Sequence, residues 1–455
     1  MIRARQPADA LPAETVRELV RGIEEIVGPK HSITDPAAQR RFLQDFSWYS
    51  PMLTEAFADI AIDVVAQPAD LDELRRLVAL AVRLRTPVTV RGAGTSNYGQ
   101  SVPLWGGLLI DTRRLSRVVS VDEAAITVEA GCVFDDIEDA ARAIGRELRL
   151  IPSTRHLATA AGFLGGGWGG LGSVAHGNLR DGNVLAVDLF TLEDPPRERR
   201  LEGADAHVVI HTYGTAGVLA RVTFPLEPAR TWKSVFAAFE GFEAAARFSW
   251  AVALDHTLGR RLLTLQEWPL ASMFLPVKSL FRQGESVALM MIAEEDVDRV
   301  REMARAGGGR LEAWPDRPMP AISEFTWAHT ILWSKKHDKT STWLQLGYST
   351  DLDRFFEQWR ALKARFGDEI ICHLEFMHLP GTGGAVAQGG HVVSRASLLD
   401  EITAFGKEHG ITISNPHTFV VPESGYAASA DPVRAFKQEV DPFDLLNRGK
   451  LAPRR

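Results

Sequence analysis

The chain has 455 residues, 45% of them hydrophobic and 24% charged, the balance of a soluble globular protein too long for one ordinary core. Its formal charge of −7 argues against a nucleic-acid binder held by phosphate contacts. Its two cysteines, Cys132 and Cys372, exclude a disulfide framework and any all-cysteine metal site. The outlying feature is glycine: there are 38, and nine fall between Gly162 and Gly182. The first residues carry no apolar signal core, Asp9 and Glu14 are unlike a transit peptide, and no 18-residue apolar stretch occurs, so a cytoplasmic protein without a transmembrane span is expected. No lysine stands between Lys30 and Lys233, which excludes a Walker-type nucleotide site there.

Helical spacing of Val16, Leu19, Val20, Ile23 and Ile26 predicts a docking helix over 13–27, closed by Gly28-Pro29. Residues 59–66 alternate as a strand, 70–84 read as a helix with Leu74, Leu77, Val78 and Ala81 on one face, and 87–91 form a β-branched strand entering a glycine loop. Three short strands follow (108–112, 118–121, 125–130), then a helix from Phe134 to Ile144 with Gly145 as its C-cap. Strands over 183–192 and 222–226 flank a second glycine turn at 211–217. Beyond 230 the composition shifts: eight of eleven tryptophans lie between Trp232 and Trp359, and lysine returns. A boundary near 228–231 is expected.

The loop Arg91-Gly92-Ala93-Gly94-Thr95-Ser96-Asn97-Tyr98-Gly99-Gln100-Ser101 has the chemistry of an anion nest. Gly92 and Gly94 permit positive φ and close approach of a ligand, and Thr95, Ser96 and Asn97 add donors. A tight structural turn is the other meaning of such a loop. A Rossmann fingerprint is excluded, because residue 97 is Asn and Pro103 interrupts any helix.

These residues, with Ile126-Thr-Val-Glu-Ala-Gly131, Thr159-Ala-Ala-Gly162, His211-Thr-Tyr-Gly-Thr-Ala-Gly217 and the closing Asp441-Pro…Asn447-Arg-Gly-Lys450, resemble in order the motifs of the vanillyl-alcohol-oxidase superfamily. Arg448 stands where that family usually has proline. The resemblance implies an α+β fold: a two-subdomain FAD-binding PCMH-type domain (56–228) and a separate α+β cap (229–415). An N-terminal helical segment (1–55) would pack on the FAD domain, and a closing segment (416–455) would return to it. It implies that FAD is held by Arg91, Gly92, Ala93, Gly94, Thr95, Ser96, Asn97, Gly99, Thr154, Thr159, Gly162, Gly165, Gly166, His176, Gly217, Val218 and Asn447. Small residues of the run let backbone lie against a flat ring. Some relatives tether FAD through a histidine in the first loop. Positions 95–98 offer none, and Cys132 reads as a core thiol, so FAD is expected to be non-covalent. His156 and His176 flank the run as flavin contacts or as ordinary hydrogen-bonding residues.

The cap would form the substrate side. In Trp327–Lys339, Lys336 or His337 is a candidate for a substrate carboxylate, against the alternative of a solvated, charged turn. On the strand from Cys372, His373 and Glu375 face one way and His378 the other. The 2-hydroxy-acid dehydrogenase branch carries a metal site and a catalytic histidine in this region. His417 falls at that histidine, but Pro416 replaces the metal-binding glutamate, so no family metal site is expected; a rearranged His373/Glu375/His378/His391 set is the alternative. The base is then His417, or secondly His373.

The expected function is FAD-dependent oxidation of a hydroxylated small molecule, a 2-hydroxy acid among the options. The alternatives are oxidation of aromatic or sugar-like alcohols in the same fold, or a non-catalytic flavin subunit of an electron-transfer complex. The electron acceptor is open, as is self-association, and no nucleic-acid partner is expected.

Overall fold

The computed structural model describes residues 10–316, 318–380, 384–425 and 430–451. Helix Ala13–Val27 turns Leu19, Ile23 and Val27 inward onto helix Leu71–Arg83, where Gly22 lies so close to Leu80 that a Cβ would stand 2.8 Å from its Cδ2. Asp70 caps the second helix by accepting the Glu73 N–H at 2.9 Å. Strands Ser32–Ile33, Val64–Ala66, Leu108–Asp111 and Val88–Arg91 lie side by side in that order, the last three parallel. The strand expected over 59–66 is shorter than its sequence pattern. Pairing begins only at Val64, beyond the turn where Gly107 O takes the N–H groups of Asp63 and Val64.

A second, antiparallel sheet is ordered Val118–Val121, Ala125–Glu129, Val218–Pro228, Ala186–Phe190, Glu198–Glu202, with Arg146–Leu148 on the far half of the long central strand. Helix Phe134–Arg142 precedes Gly145, which sits at φ 73°. The glycine run contains two short helices, Ala160–Gly166 and Ser173–His176.

The third sheet begins at Trp232. Its order is Arg310–Ala313, Trp232–Glu240, Glu285–Ala293, Arg260–Gln266, His373–Leu379, Gly384–Val393, Thr342–Gly347, Thr412–Ser414, with Ile370–Ile371 also on Gly384–Val393. Period-2 alternation divides its side chains between two cores. Val235, Ala237, Leu263, Leu265, Leu344 and Leu346 pack under helices Phe242–Leu254, Leu352–Phe366 and Leu399–Glu408. Phe236, Ala238, Leu262, Leu289 and Trp343 join Ile126, Leu164, Val222 and Tyr213 in a core shared with the second sheet. Residues 327–339 are not a charged turn: Ala328–His337 is a helix whose Ile331 is buried. After helix Asp431–Val440 the chain returns to the first sheet, where Leu446 bridges Val88 and Asn447 N donates to Val88 O at 2.7 Å.

Candidate functional site

The loop leaving Val88–Arg91 and the facing helix Ala160–Gly166 form one wall of a long cleft. Its lower part is lined by Arg91, Gly92, Ala93, Gly94, Thr95, Ser96, Ser101, Thr159, Gly162, Gly165, Gly166 and Gly217. Gly94 has φ 68°, and a Cβ there would lie 2.0 Å from Arg91 Nη2; one on Gly92 would lie 2.0 Å from Thr159 Oγ1. Gln100 Nε2 donates to Gly166 O at 2.7 Å and fixes the loop to the helix. Among the described residues no protein acceptor takes the N–H groups of residues 92–97, and Thr159 Oγ1 is buried without a partner. Such an array of amides and one hydroxyl fits a phosphate-bearing ligand, and the glycine surface fits a flat ring system. FAD has both parts.

Several expected cofactor residues hold the cleft up from behind. Arg91 borders it, but its guanidinium is folded under the loop, donating to Gln44 O (2.7 Å), Arg41 O (3.3 Å) and Ser101 Oγ (3.1 Å). Gly99, at φ 73°, packs on Phe57. Val218 is buried in the strand behind Gly217. Asn447, at φ 43°, donates through Nδ2 to Tyr213 O and so clamps the second glycine turn to the chain end. His176 does not reach the cleft; its ring stands 3.2 Å from Glu227 Oε1 on the outer side.

The upper part runs between Thr95, Asn97, Tyr98, Thr154, Phe163, Gly166 and Trp168 on one side and the third sheet on the other. Gly169 lets the walls meet: a Cβ would fall 2.8 Å from Trp327 Cη2 and 3.1 Å from Met377 Sδ. His211 also lines this space, its Nδ1 3.0 Å from Gly167 O, and burial pulls it down to about 4, so the ring is neutral.

Across from the glycines, His373, Glu375 and Met377 project from one face of strand His373–Leu379. His373 Nε2 lies 2.6 Å from Glu375 Oε1, which also accepts the N–H of Trp327. That bond helps hold Trp327 at φ 52°, an unusual conformation for a large side chain. Among the described residues, Glu375 Oε2 is buried with no hydrogen-bond partner. Burial raises the Glu375 pKa, opposed by His373 and the Trp327 N–H. Sequence reasoning put this pair on one face and ranked only the histidine as a base. The uncommitted acceptor is the carboxylate oxygen, whose only sequence signal was the His-x-Glu spacing.

The other proposed site groups lie elsewhere. His417 is turned away from the cavity: Nε2 is 2.8 Å from Trp343 O and Nδ1 is 2.8 Å from Ser50 Oγ, so both nitrogens are committed, and burial lowers it to about 4. His378 is on the opposite strand face, beside His256 at 5.5 Å between ring centres. His391 is also on the far face, its Nε2 2.9 Å from the Tyr348 hydroxyl. The rearranged metal set is therefore split by strand alternation, and no cluster of three or more potential ligands occurs among the described residues. Lys336 and His337 are exposed at the far end of their helix, with Lys336 Nζ 4.1 Å from the Trp333 ring centre. Neither borders the cavity. Among the described residues, no helix is long and apolar enough to cross a membrane.

Residues 62–194 match the family model described as an FAD binding domain. An uncharacterized FAD-linked oxidoreductase of Mycobacterium tuberculosis is 25% identical over 479 residues, covering 95% of this chain and 98% of that one. The glycolate oxidase subunit GlcD of Bacillus subtilis is 27% identical over 194 residues, a match spanning 41% of each chain, less than half of that relative's length. Among solved structures, p-cresol methylhydroxylase superposes with a TM-score of 0.69 at 11% identity, covering 97% of this chain and 98% of that one. The chain is thus an FAD-dependent oxidoreductase with the fold of PCMH-type FAD-binding proteins.

Proposed function

We propose that the protein oxidises an uncharged, hydroxylated small molecule with an aromatic or otherwise apolar body. When bound, the flavin supplies the hydride acceptor, and the protein's part is to bind and orient the substrate and take its hydroxyl proton. The observation that carries this reading is Glu375: it lines an aromatic cavity whose described lining contains no lysine or arginine, and its buried Oε2 has no hydrogen-bond partner among the described residues. Glu375 receives the proton, its basicity raised by burial. His373, with Nε2 2.6 Å from Glu375 Oε1, holds the carboxyl group in place.

Trp168, Trp327, Trp343 and Met377 exclude water and offer flat apolar surface. A side chamber of Phe46, Tyr49, Leu157 and Leu332 shares Thr95, Asn97, Ser153, Thr154 and Ala328 with the cavity and supports a substrate larger than a two- or three-carbon acid. FAD is held non-covalently in this reading. Residues 95–98 carry no histidine, and Cys132 is wholly buried in the core, its pKa pushed up to about 12 by burial.

A second reading, oxidation of a 2-hydroxy acid, draws on relatives named as glycolate oxidase and D-lactate dehydrogenase. Anaerobic mixing with benzylic alcohols and with glycolate and D-lactate separates the two. Bleaching of the oxidised-flavin band by benzylic alcohols alone is expected. Bleaching by the hydroxy acids alone overturns the uncharged-substrate reading, and bleaching by neither group removes alcohol oxidation of both kinds.

A further inference from the structure

Among the described residues, two cations are buried beneath the 91–101 loop, and neither meets an acid. Arg91 gives its N–H groups to the carbonyls of Arg41, Phe42 and Gln44 and to Ser101 Oγ, all neutral acceptors. Lys450 is fully buried; its Nζ donates to Gln100 O and lies 3.4 Å from Asn447 Oδ1. Among the described residues no carboxylate oxygen stands within 4 Å of either head group. The acids nearby are engaged: Asp45 accepts from Ser47 N (2.9 Å) and Ser96 Oγ (2.7 Å), and Asp111 is paired with Arg113 at 2.9 and 2.7 Å.

A buried ammonium with only neutral partners costs stability, and an apolar side chain of the same length would pack there more favourably. Burial draws Lys450 down to about 7, an effect that Asp45 opposes and Arg91 reinforces. The other face of the same loop is the cavity of unpaired amides and Thr159 Oγ1. The stretch from 31 to 232 contains no lysine, so the positive charge under the loop that Arg91 does not supply comes from the far end of the chain.

We infer that Lys450 is a positioning residue for the cofactor: with Arg91 it forms a pre-set positive charge behind the loop whose counter-charge is the diphosphate of FAD. The anchor at Gln100 sets the loop, and the charge favours the anionic part of the ligand over its neutral parts. The inference rests on the FAD assignment and goes beyond it, because it predicts opposite effects on the free protein and on its affinity.

The test uses full-length protein stripped of flavin, with Lys450→Met and Lys450→Gln. Glutamine retains a donor for Gln100 O and lacks the charge. Calorimetric titration with FAD and with riboflavin, which lacks the diphosphate, and melting of the flavin-free protein give the readouts. Both variants are expected to lose at least about tenfold in FAD affinity. Riboflavin affinity should change by less than about twofold, and the flavin-free Lys450→Met protein should melt at or above the wild-type temperature. FAD affinity within about threefold of wild type overturns the inference, as does an equal loss for riboflavin, or wild-type affinity in Lys450→Gln. A flavin-free Lys450→Met protein that melts lower would make Lys450 a structural rivet and overturn it too. If the wild-type protein itself binds no FAD, the cofactor assignment fails instead.

Discussion

The two walls of the cleft are made of different material. On the FAD side the surface is backbone: at Gly92 and Gly94 a single added carbon would strike Thr159 Oγ1 or the Arg91 guanidinium, and the groups on offer are amides and hydroxyls. On the cap side it is side chain, with His373, Glu375 and Trp343 projecting from the sheet and Trp327 from the turn before helix Ala328–His337. The first wall selects a cofactor shape and leaves the substrate open. In the function proposed above, the second decides which molecule is oxidised and where its proton goes.

The strongest break in this contrast would come from the cap wall. Glu375→Gln keeps the volume and the Trp327 contact but removes the proton acceptor. It is expected to slow flavin reduction by about 10²- to 10⁴-fold while FAD affinity stays near wild type. Stopped-flow reduction with the best benzylic alcohol checks this, and a loss under about threefold would move the base elsewhere. The cofactor wall should answer in the opposite sense. Gly94→Ala, at φ 68° and pressed on Arg91, is expected to weaken FAD binding by about tenfold or more, since the left-handed conformation alone costs roughly 1–2 kcal/mol with a Cβ. The fraction that still carries FAD should reduce at close to the normal rate. A Gly94→Ala protein with full FAD content and slow reduction would blur the two walls into one.

The same contrast explains what the sequence made legible. Backbone walls are written in glycine spacing and in local motifs, so the loop at 91–101, the turn at 211–217 and the closing segment at 441–450 could be read in order. Side-chain walls depend on which long-range neighbours the sheet brings together. Strand alternation did separate His373 and Glu375 from His378. Nothing local shows that His391 pairs with Tyr348, that Lys450 reaches Gln100, or that His417 is locked between Ser50 and Trp343, since those partners lie 43 to 367 residues away. Arg91 shows both sides of this: its motif position could be read locally, whereas its guanidinium's bonds to carbonyls 47 to 50 residues earlier could not.

His417 tests whether the closing segment belongs to the chemistry or to the frame. With both nitrogens bonded, His417→Ala is expected to leave flavin reduction within about threefold of wild type and to destabilise the protein by roughly 1–3 kcal/mol. Its pKa in the folded protein is about 4, below the ordinary 6.5, so between those values the unfolded chain binds more protons than the native one. This contribution to stability is therefore complete above about pH 6.5 and fades as pH falls towards 4. Melting curves across that window should show a shallower acid slope for His417→Ala. An unchanged slope with slow reduction would restore the histidine as the base.

The smallest effect is expected where the sequence suggested a carboxylate site. Lys336 and His337 occupy the exposed end of helix Ala328–His337, while Ala328 and Ile331, nearer its other end, border the cavity. The Lys336 ammonium already rests over the Trp333 ring. Changing both to alanine removes a surface contact and leaves the cavity wall intact, so the reduction rate and its dependence on substrate concentration should stay within about twofold of wild type. This near-silence also bears on the substrate. If the double variant lost reduction by D-lactate or glycolate while keeping it with benzylic alcohols, the helix end would have to reach the cleft in the working enzyme. The cap wall would then carry a cation, and the argument for an uncharged substrate, which depends on a lining without lysine or arginine, would fall with it.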